Sequence, residues 1–149
     1  MNALLTALLA VHILSAVAWV GGMFYTLVVL RPALAALDAA PRLQMHMVTL
    51  KRFFLVVWHA MPLMLLTGWG MIGAAHWNMA QLPWYVNAMQ GLALVMAGIF
   101  LFTYFGPFRR LRRAIRPGPE LLNRIRLAVT ANLLIGIAII VFASFGQGF

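Results

Sequence analysis

The sequence contains no cysteine, and this absence excludes several kinds of site. A chain without thiols has no disulfide, no thiolate metal ligand and no iron–sulfur cluster. Any metal chemistry must therefore use histidine or methionine side chains, or belong to a bound cofactor.

Acidic residues are almost as scarce, because Asp38 and Glu120 are the only two carboxylate side chains among 149 residues. Both lie outside the long apolar stretches, so the sequence offers no carboxylate pair for a hydrolase and no carboxylate proton relay inside a membrane. It also has no glycine-rich phosphate loop and no HExxH zinc motif. Whether the protein is an enzyme stays open, and any catalysis would depend on a cofactor.

Apolar residues, by contrast, dominate the chain. The sequence is 64% hydrophobic and 9% charged, whereas soluble domains have roughly 25% charged residues. Four stretches, at about residues 3–30, 53–75, 84–106 and 124–146, each reach or exceed the roughly 20 residues that a helix needs to cross a bilayer. The sequence therefore predicts an all-α integral membrane protein, with one four-helix bundle over residues 1–149 and the lipid bilayer around it.

The basic residues predict how this bundle is oriented. All eleven Lys and Arg residues fall within residues 31–52 and 109–126, and neither the second loop nor either terminus carries a charged side chain. By the positive-inside rule, the first and third loops are cytoplasmic and both termini are periplasmic in a bacterial inner membrane. We expect helix one to end at Arg31–Pro32 and the first loop to hold a short amphipathic helix. The net charge of +9 then reflects topology and attraction to anionic lipids, not nucleic-acid binding.

A histidine stands inside the first apolar stretch, where burying an ionisable ring needs a compensating partner. At 100° per residue, one side of this helix carries His12, Ser15, Ala16, Trp19, Met23 and Thr26. Since lipid offers these polar groups no hydrogen bond, we expect this side to face the interior of the bundle.

A rise of about 1.5 Å per residue converts sequence position into depth and predicts two polar clusters. The outer cluster comprises His12, Asn87, Gln90 and His76. The inner cluster comprises His59, Asn132, Thr130 and, below them, His46. Because His12 and His59 differ in depth by roughly 17 Å, we do not expect them to ligate one haem together.

Three interpretations of these residues stay open. As a haem site, His12 is the axial ligand with His76 as its candidate partner, and Trp19, Asn87 and Gln90 complete the cofactor pocket. As a copper site, imidazole and thioether groups suit the metal, and the candidate ligands are His12, His59, His46, Met45 and Met47. As a purely structural group, His12 hydrogen-bonds a neighbouring helix, for example at Gln90.

The stretch "HILSAVAWVGGMFYTLVVLRPAL", residues 12–34, resembles the first helix of the copper resistance protein D (CopD) family and of the related HemJ-type protoporphyrinogen oxidases. The matching positions are His12, Ala16, Trp19, Gly21 and Gly22. A basic start to helix two at "KRFF", a Thr67–Gly68 pair near its end and an arginine-rich third loop also fit this resemblance.

The resemblance implies a metal-related function in more than one form. CopD-like proteins are associated with copper uptake or tolerance, whereas HemJ-type enzymes are thought to bind haem b through the helix-one histidine, which is His12 here. At the start of helix three the sequence has Asn87 and Gln90 where HemJ-type enzymes have a lysine, and this difference favours the CopD-like group.

The resulting functional alternatives differ in their partners. Copper transport or homeostasis requires only the metal. A haem-dependent electron carrier would exchange electrons between quinone and a periplasmic redox partner. A cofactor-free subunit would act in a homo-oligomer or a larger membrane complex.

Overall fold

The computed structural model describes residues 3–75 and 78–147. It contains four long helices, α1 (Ala3–Leu34), α2 (Ala39–Ala74), α3 (Trp84–Arg113) and α4 (Pro119–Ser144), each long and apolar enough to span a membrane. Short 3-10 turns at Met79–Gln81 and Phe145–Gln147 precede α3 and follow α4. The predicted all-α class and the four apolar spans are confirmed, and the chain is a multi-pass membrane protein.

The helices extend further at the arginine-rich end than the apolar stretches predict. Helix α1 continues through Pro32 to Leu34, and α3 continues through Pro107 to Arg113. In both cases the proline follows or lies within a π-helical segment, Tyr25–Leu30 in α1 and Tyr104–Phe108 in α3. A wider π turn displaces the carbonyl that a proline ring would otherwise meet, so these prolines do not end their helices. A further π-helical segment, Val17–Gly21, lies in the middle of α1.

The predicted amphipathic helix of the first loop is not a separate element. It is the beginning of α2, which runs for 36 residues without a break. Its one early proline, Pro41, lies in the first turn, where the missing N–H would have no helical partner in any case. Likewise α4 begins at Pro119, immediately after Gly118, and not near residue 124.

Helices α1 and α2 pack as an antiparallel hairpin with close backbone approach. A Cβ atom at Gly22 would lie 3.0 Å from the Phe53 ring, and one at Gly70 would lie 3.5 Å from Leu8. Helices α3 and α4 form the second hairpin, in which the buried Asn132 side chain donates from Nδ2 to the Met96 carbonyl at 3.1 Å. Close packing at glycines therefore supports the first hairpin and an interhelical hydrogen bond supports the second, as expected where lipid removes the hydrophobic driving force between helices.

A layer of aromatic rings joins the two hairpins in the half of the bundle nearer the arginines. Phe54 and Phe108 have ring centroids 4.5 Å apart, and Trp58 packs edge-on against Tyr104 at 5.3 Å. Trp19 of α1 closes the layer with an edge-on contact to Phe100 at 6.3 Å. These bulky rings fill the space between the hairpins here, while the half nearer the termini has smaller side chains and keeps a cavity.

Gly136 sets the distance between the hairpins, since a Cβ atom there would lie 2.9 Å from Cγ2 of Val20. We expect Gly136→Ala to destabilise the protein by about 1–3 kcal/mol, because the stiff β-branched neighbour has little room to move. Thermal unfolding in detergent measures the effect. Gly98→Ala is the control, because a Cβ atom at Gly98 meets nothing within 4 Å. Equal melting temperatures for both variants would contradict this account, whereas adding Val20→Ala to Gly136→Ala should restore stability.

Candidate functional site

A cavity of about 380 Å³ lies between the two hairpins, in the half of the bundle nearer the termini. All four helices contribute to its wall. Its apolar lining includes Leu5, Leu9, Leu65, Ile72, Val86 and Ile139. The polar side chains of His12, Trp69 and Gln90 also line it. The size and the mainly apolar lining with a few polar groups are typical of small-ligand sites in proteins.

His12 is held at this cavity by a hydrogen bond from α1 to the backbone of α2. Its Nδ1 atom lies 2.8 Å from the Met64 carbonyl oxygen and 3.2 Å from Oγ1 of Thr67. A carbonyl oxygen only accepts, so Nδ1 carries the proton, and in the neutral ring Nε2 keeps its lone pair. Metal-binding histidines typically have this arrangement, in which one nitrogen donates to a carbonyl and the other is the ligand.

Thr67 and Gly68 make this hydrogen bond possible. The Met64 carbonyl belongs to the helical turn that ends at Gly68, and a side chain at Gly68 would cover it. A Cβ atom there would lie 3.2 Å from Cε1 of His12. Thr67 donates its own hydroxyl hydrogen to the Leu63 carbonyl at 2.6 Å, so its oxygen lone pairs face the imidazole N–H. The Thr67–Gly68 pair thus fixes both the position of the ring and the nitrogen that is protonated.

Methionine sulfur is the other potential metal ligand in this cavity. Met64 and Met71 of α2 and Met89 of α3 all contribute to the lining. No carboxylate lines the cavity, and no group of three or more His, Asp or Glu side chains suited to a metal occurs within the described residues. The side-chain donors available here are therefore one imidazole, several soft thioethers and the Gln90 amide, all of them uncharged.

The outer polar cluster that depth predicted is only partly present. Gln90 shares the cavity with His12, but its Oε1 accepts a hydrogen bond from Nε1 of Trp69 at 3.2 Å. Asn87 is exposed, and its amide lies 3.5 Å from the Leu82 carbonyl. Trp19 is 1% exposed and belongs to the aromatic layer beside the cavity. His76, the expected partner of His12, lies outside the described residues.

The inner cluster does not form. His59 is exposed, and its Nδ1 bonds to the Leu55 carbonyl of its own helix at 2.8 Å. Asn132 is buried against α3, and Thr130 is exposed with its hydroxyl donated to the Arg126 carbonyl. Similar depth therefore did not bring these side chains together, because they project in different directions around the bundle axis.

The candidate ligands of the "QMHMV" segment lie in different surroundings from one another. Met45 is 44% exposed, Met47 packs against the hydrophobic core, and His46 lines a different cavity near the arginines. These three residues lie toward the arginine-rich end of the bundle, away from His12. They therefore do not form one metal site with it.

The sequence analysis did not assign the Met64 carbonyl or Met89 to the His12 cavity. No sequence pattern singles out the Met64 carbonyl, since every residue has a backbone carbonyl. Met89 could have been found from the spacing of Val86, Met89 and Ala93, which puts three lining residues on one side of α3.

The position of the His12 ring should depend on the absence of a side chain at Gly68. We expect Gly68→Ala to push the ring away and weaken the hydrogen bond to the Met64 carbonyl. Nitrogen-15 NMR of histidine-labelled protein, with His12 assigned through a His12→Gln variant, should show a protonated Nδ1 in the unmodified chain and a changed spectrum in Gly68→Ala. Gly73→Ala is the control on the same helix, since its Cβ meets nothing within 4 Å. A His12 signal that is unchanged in Gly68→Ala would refute the proposed contact.

Comparison with known proteins assigns the chain to a family. Residues 47–145, about two thirds of the chain, match the family model described as Copper resistance protein D. Neither the curated proteins nor the solved structures yielded a significant match. The matched range includes Met64, Thr67 and Gly68 but begins after α1 and His12, so the family match by itself assigns no role to the histidine. The chain belongs to the copper resistance protein D family, as the resemblance of its first helix implied.

Proposed function

We propose that the protein handles copper in the bacterial inner membrane, with Cu(I) bound in the cavity beside His12. The observation that carries this proposal is the hydrogen bond from Nδ1 of His12 to the Met64 carbonyl. It leaves Nε2 as a free ligand nitrogen at the wall of a cavity that methionines also line. Membership of a family linked to copper resistance supports the same function.

The chemistry of the available donors suits Cu(I) as the cargo. Thioether sulfur is a soft ligand that selects Cu(I) over harder cations, and imidazole binds copper in general. We assign Nε2 of His12 and the sulfur atoms of Met64, Met71 and Met89 as the candidate ligands. Because all four donors are neutral, they keep a bound monovalent ion at a single positive charge, which is less costly to bury than a divalent one. Met61, one turn before Met64, is buried but absent from the cavity lining.

The direction of copper handling follows from the proposed orientation. The basic residues lie at one end of the bundle, and the positive-inside rule assigns that end to the cytoplasm. The His12 cavity lies in the opposite half, so it is on the periplasmic side in this orientation. A periplasmic copper ion would therefore reach His12 first, which is consistent with uptake or buffering at that surface.

A haem b cofactor is the second candidate, and the site fits it in part. Imidazole with a fixed tautomer and an apolar wall are typical of haem sites, and His12 would be the axial ligand. When bound, haem would supply electron-transfer chemistry. The described lining, however, offers no second histidine and no Arg or Lys to pair with the haem propionates. Because the lining lacks partners for the propionates while its thioethers suit Cu(I), the described residues suit copper better.

Copper binding tests the proposal directly. We expect the detergent-purified protein, kept reduced, to retain one Cu(I) per chain in competition with a chromophoric Cu(I) chelator. His12→Ala and Met64→Leu should each weaken the affinity by roughly 10- to 100-fold, as the loss of a ligand or its support commonly does. Met61→Leu is the matched control, because it removes a buried sulfur from the same helix outside the cavity, and it should bind like the unmodified chain.

The contrary outcomes point to the other interpretations. A Soret band with sharp α and β bands on reduction, lost in His12→Ala, would replace copper with haem b. Neither copper nor haem in protein made with ample supplies of both would leave His12 as a structural group in a membrane subunit. Equal loss of affinity in Met61→Leu and Met64→Leu would show that the cavity methionines are not copper ligands.

Orientation can be tested independently, because the chain has no cysteine of its own. Ile115 is 99% exposed in the α3–α4 turn, and Asn78 is exposed in the α2–α3 connection. We expect an impermeant maleimide to label Asn78→Cys in spheroplasts and Ile115→Cys only in inverted vesicles. The unmodified chain controls for background labelling. The reverse labelling pattern would show that the topology is opposite to the proposed one.

A further inference from the structure

A second cavity, of about 290 Å³, lies at the arginine-rich end of the bundle between α1, α2 and α4. Three arginines line it, Arg31, Arg42 and Arg126, together with His46 and Asn123. These groups come from three different helices, so folding brings together cationic side chains that are far apart in the sequence. Arg31 and Arg42 are both close enough to His46 to act electrostatically on its ring.

No carboxylate balances this charge. Asp38 and Glu120 are the only acidic residues in the chain, and neither lines the cavity. Glu120 instead pairs with Arg124 at 2.7 Å on the exposed side of α4. Across residues 3–75 and 78–147, Arg31 and Arg126 form no ion pair. Like charges gathered in one cavity repel each other, and an anion bound among them would relieve this repulsion.

Arg42 is held in place before any ligand binds. Its Nη2 donates to the carbonyls of Ala35 and Leu37 at 3.1 and 2.6 Å, and its Nε donates to Leu37 at 3.1 Å. These bonds satisfy carbonyls in the α1–α2 connection and hold the Arg42 side chain in place. The first turn of α4 also lines the cavity through Pro119, Leu122 and Asn123, so the positive end of the α4 dipole adds to the potential there.

We propose that this cavity binds a phosphate group. Guanidinium forks match the geometry of phosphate oxygens and bind them with charge-assisted hydrogen bonds. The phosphate could come from the headgroup of an anionic phospholipid or from a free phosphate in water. Leu27, Leu50 and Val129 form an apolar part of the same wall, which suits the glycerol and first acyl carbons of a lipid. This site is independent of copper, since it lies in the other half of the bundle from His12.

The test uses the full chain in a phosphate-free maltoside detergent. One arm adds sodium phosphate against sodium chloride at equal ionic strength, and the other adds short-chain phosphatidylglycerol against the matching diacylglycerol. We expect at least one phosphate source to raise the melting temperature by about 2–4 °C when it saturates the site. Native mass spectrometry then counts the bound lipid or phosphate.

Paired arginine variants separate a built site from general charge attraction. Arg31→Gln with Arg126→Gln should weaken phosphate binding by at least roughly tenfold. Arg109→Gln with Arg113→Gln is the control, because it removes the same charge from exposed positions on α3 outside the cavity. Arg126→Lys keeps the charge but loses the fork, so a folded chain with weakened binding in this variant would support bidentate recognition.

The two arms of the test distinguish the two sources of the phosphate group. A shift in the lipid arm alone identifies a phospholipid headgroup, and a shift with sodium phosphate identifies free phosphate as a ligand. No shift in either arm of the unmodified chain would overturn the proposal. Equal weakening in the cavity pair and the control pair would also overturn it, because binding would then follow net charge alone.

Discussion

The candidate metal site depends on one hydrogen bond between two helices, from Nδ1 of His12 to the Met64 carbonyl. It satisfies a polar ring that would otherwise be costly to bury, and it links α1 to α2 at a fixed point. The bond exists because Gly68 leaves the carbonyl uncovered on the side of α1. The same bond decides which ring nitrogen remains available, so packing between helices and ligand chemistry are set together. A side chain at position 68 would disturb both.

The distribution of side-chain size along the bundle explains why the cavity lies beside His12. Aromatic rings fill the gap between the hairpins near Phe54, Phe100 and Tyr104. Closer to the termini, the facing residues include Ala16, Gly68 and Ala93, whose small side chains leave part of the same gap empty. The four-helix bundle thus combines a tightly packed half with a half that can accept a ligand, and Trp19 stands at the boundary between them.

The number of helices and their approximate positions could be predicted from the sequence, because apolar runs of membrane length have few alternative structures. The helix ends could not, since Pro32 and Pro107 look like stop signals unless the π-helical turns beside them are known. The expected approach of His59 to Asn132 failed for a different reason. Depth follows from counting residues, but direction around the axis depends on how neighbouring helices pack. The His12 partner could not be predicted, because a backbone carbonyl leaves no mark in the sequence, although the Thr67–Gly68 pair beside it fits the resemblance to the family.

The π-helical segments of α1 determine which of its residues face the two cavities. Ser15, Trp19 and Met23 are buried, and Leu27 packs against the same core, so the inward residues recur every four positions. In a regular α-helix each such step would turn the contact line by about 40° and carry it to the lipid side within three steps. The under-wound segments cancel this rotation and keep one side of α1 facing the bundle interior from Ser15 to Leu27. If Val17–Gly21 were a regular α-helix, the residues after it would turn progressively away from this line, which would leave the His12 cavity intact but direct Arg31 away from the other cavity.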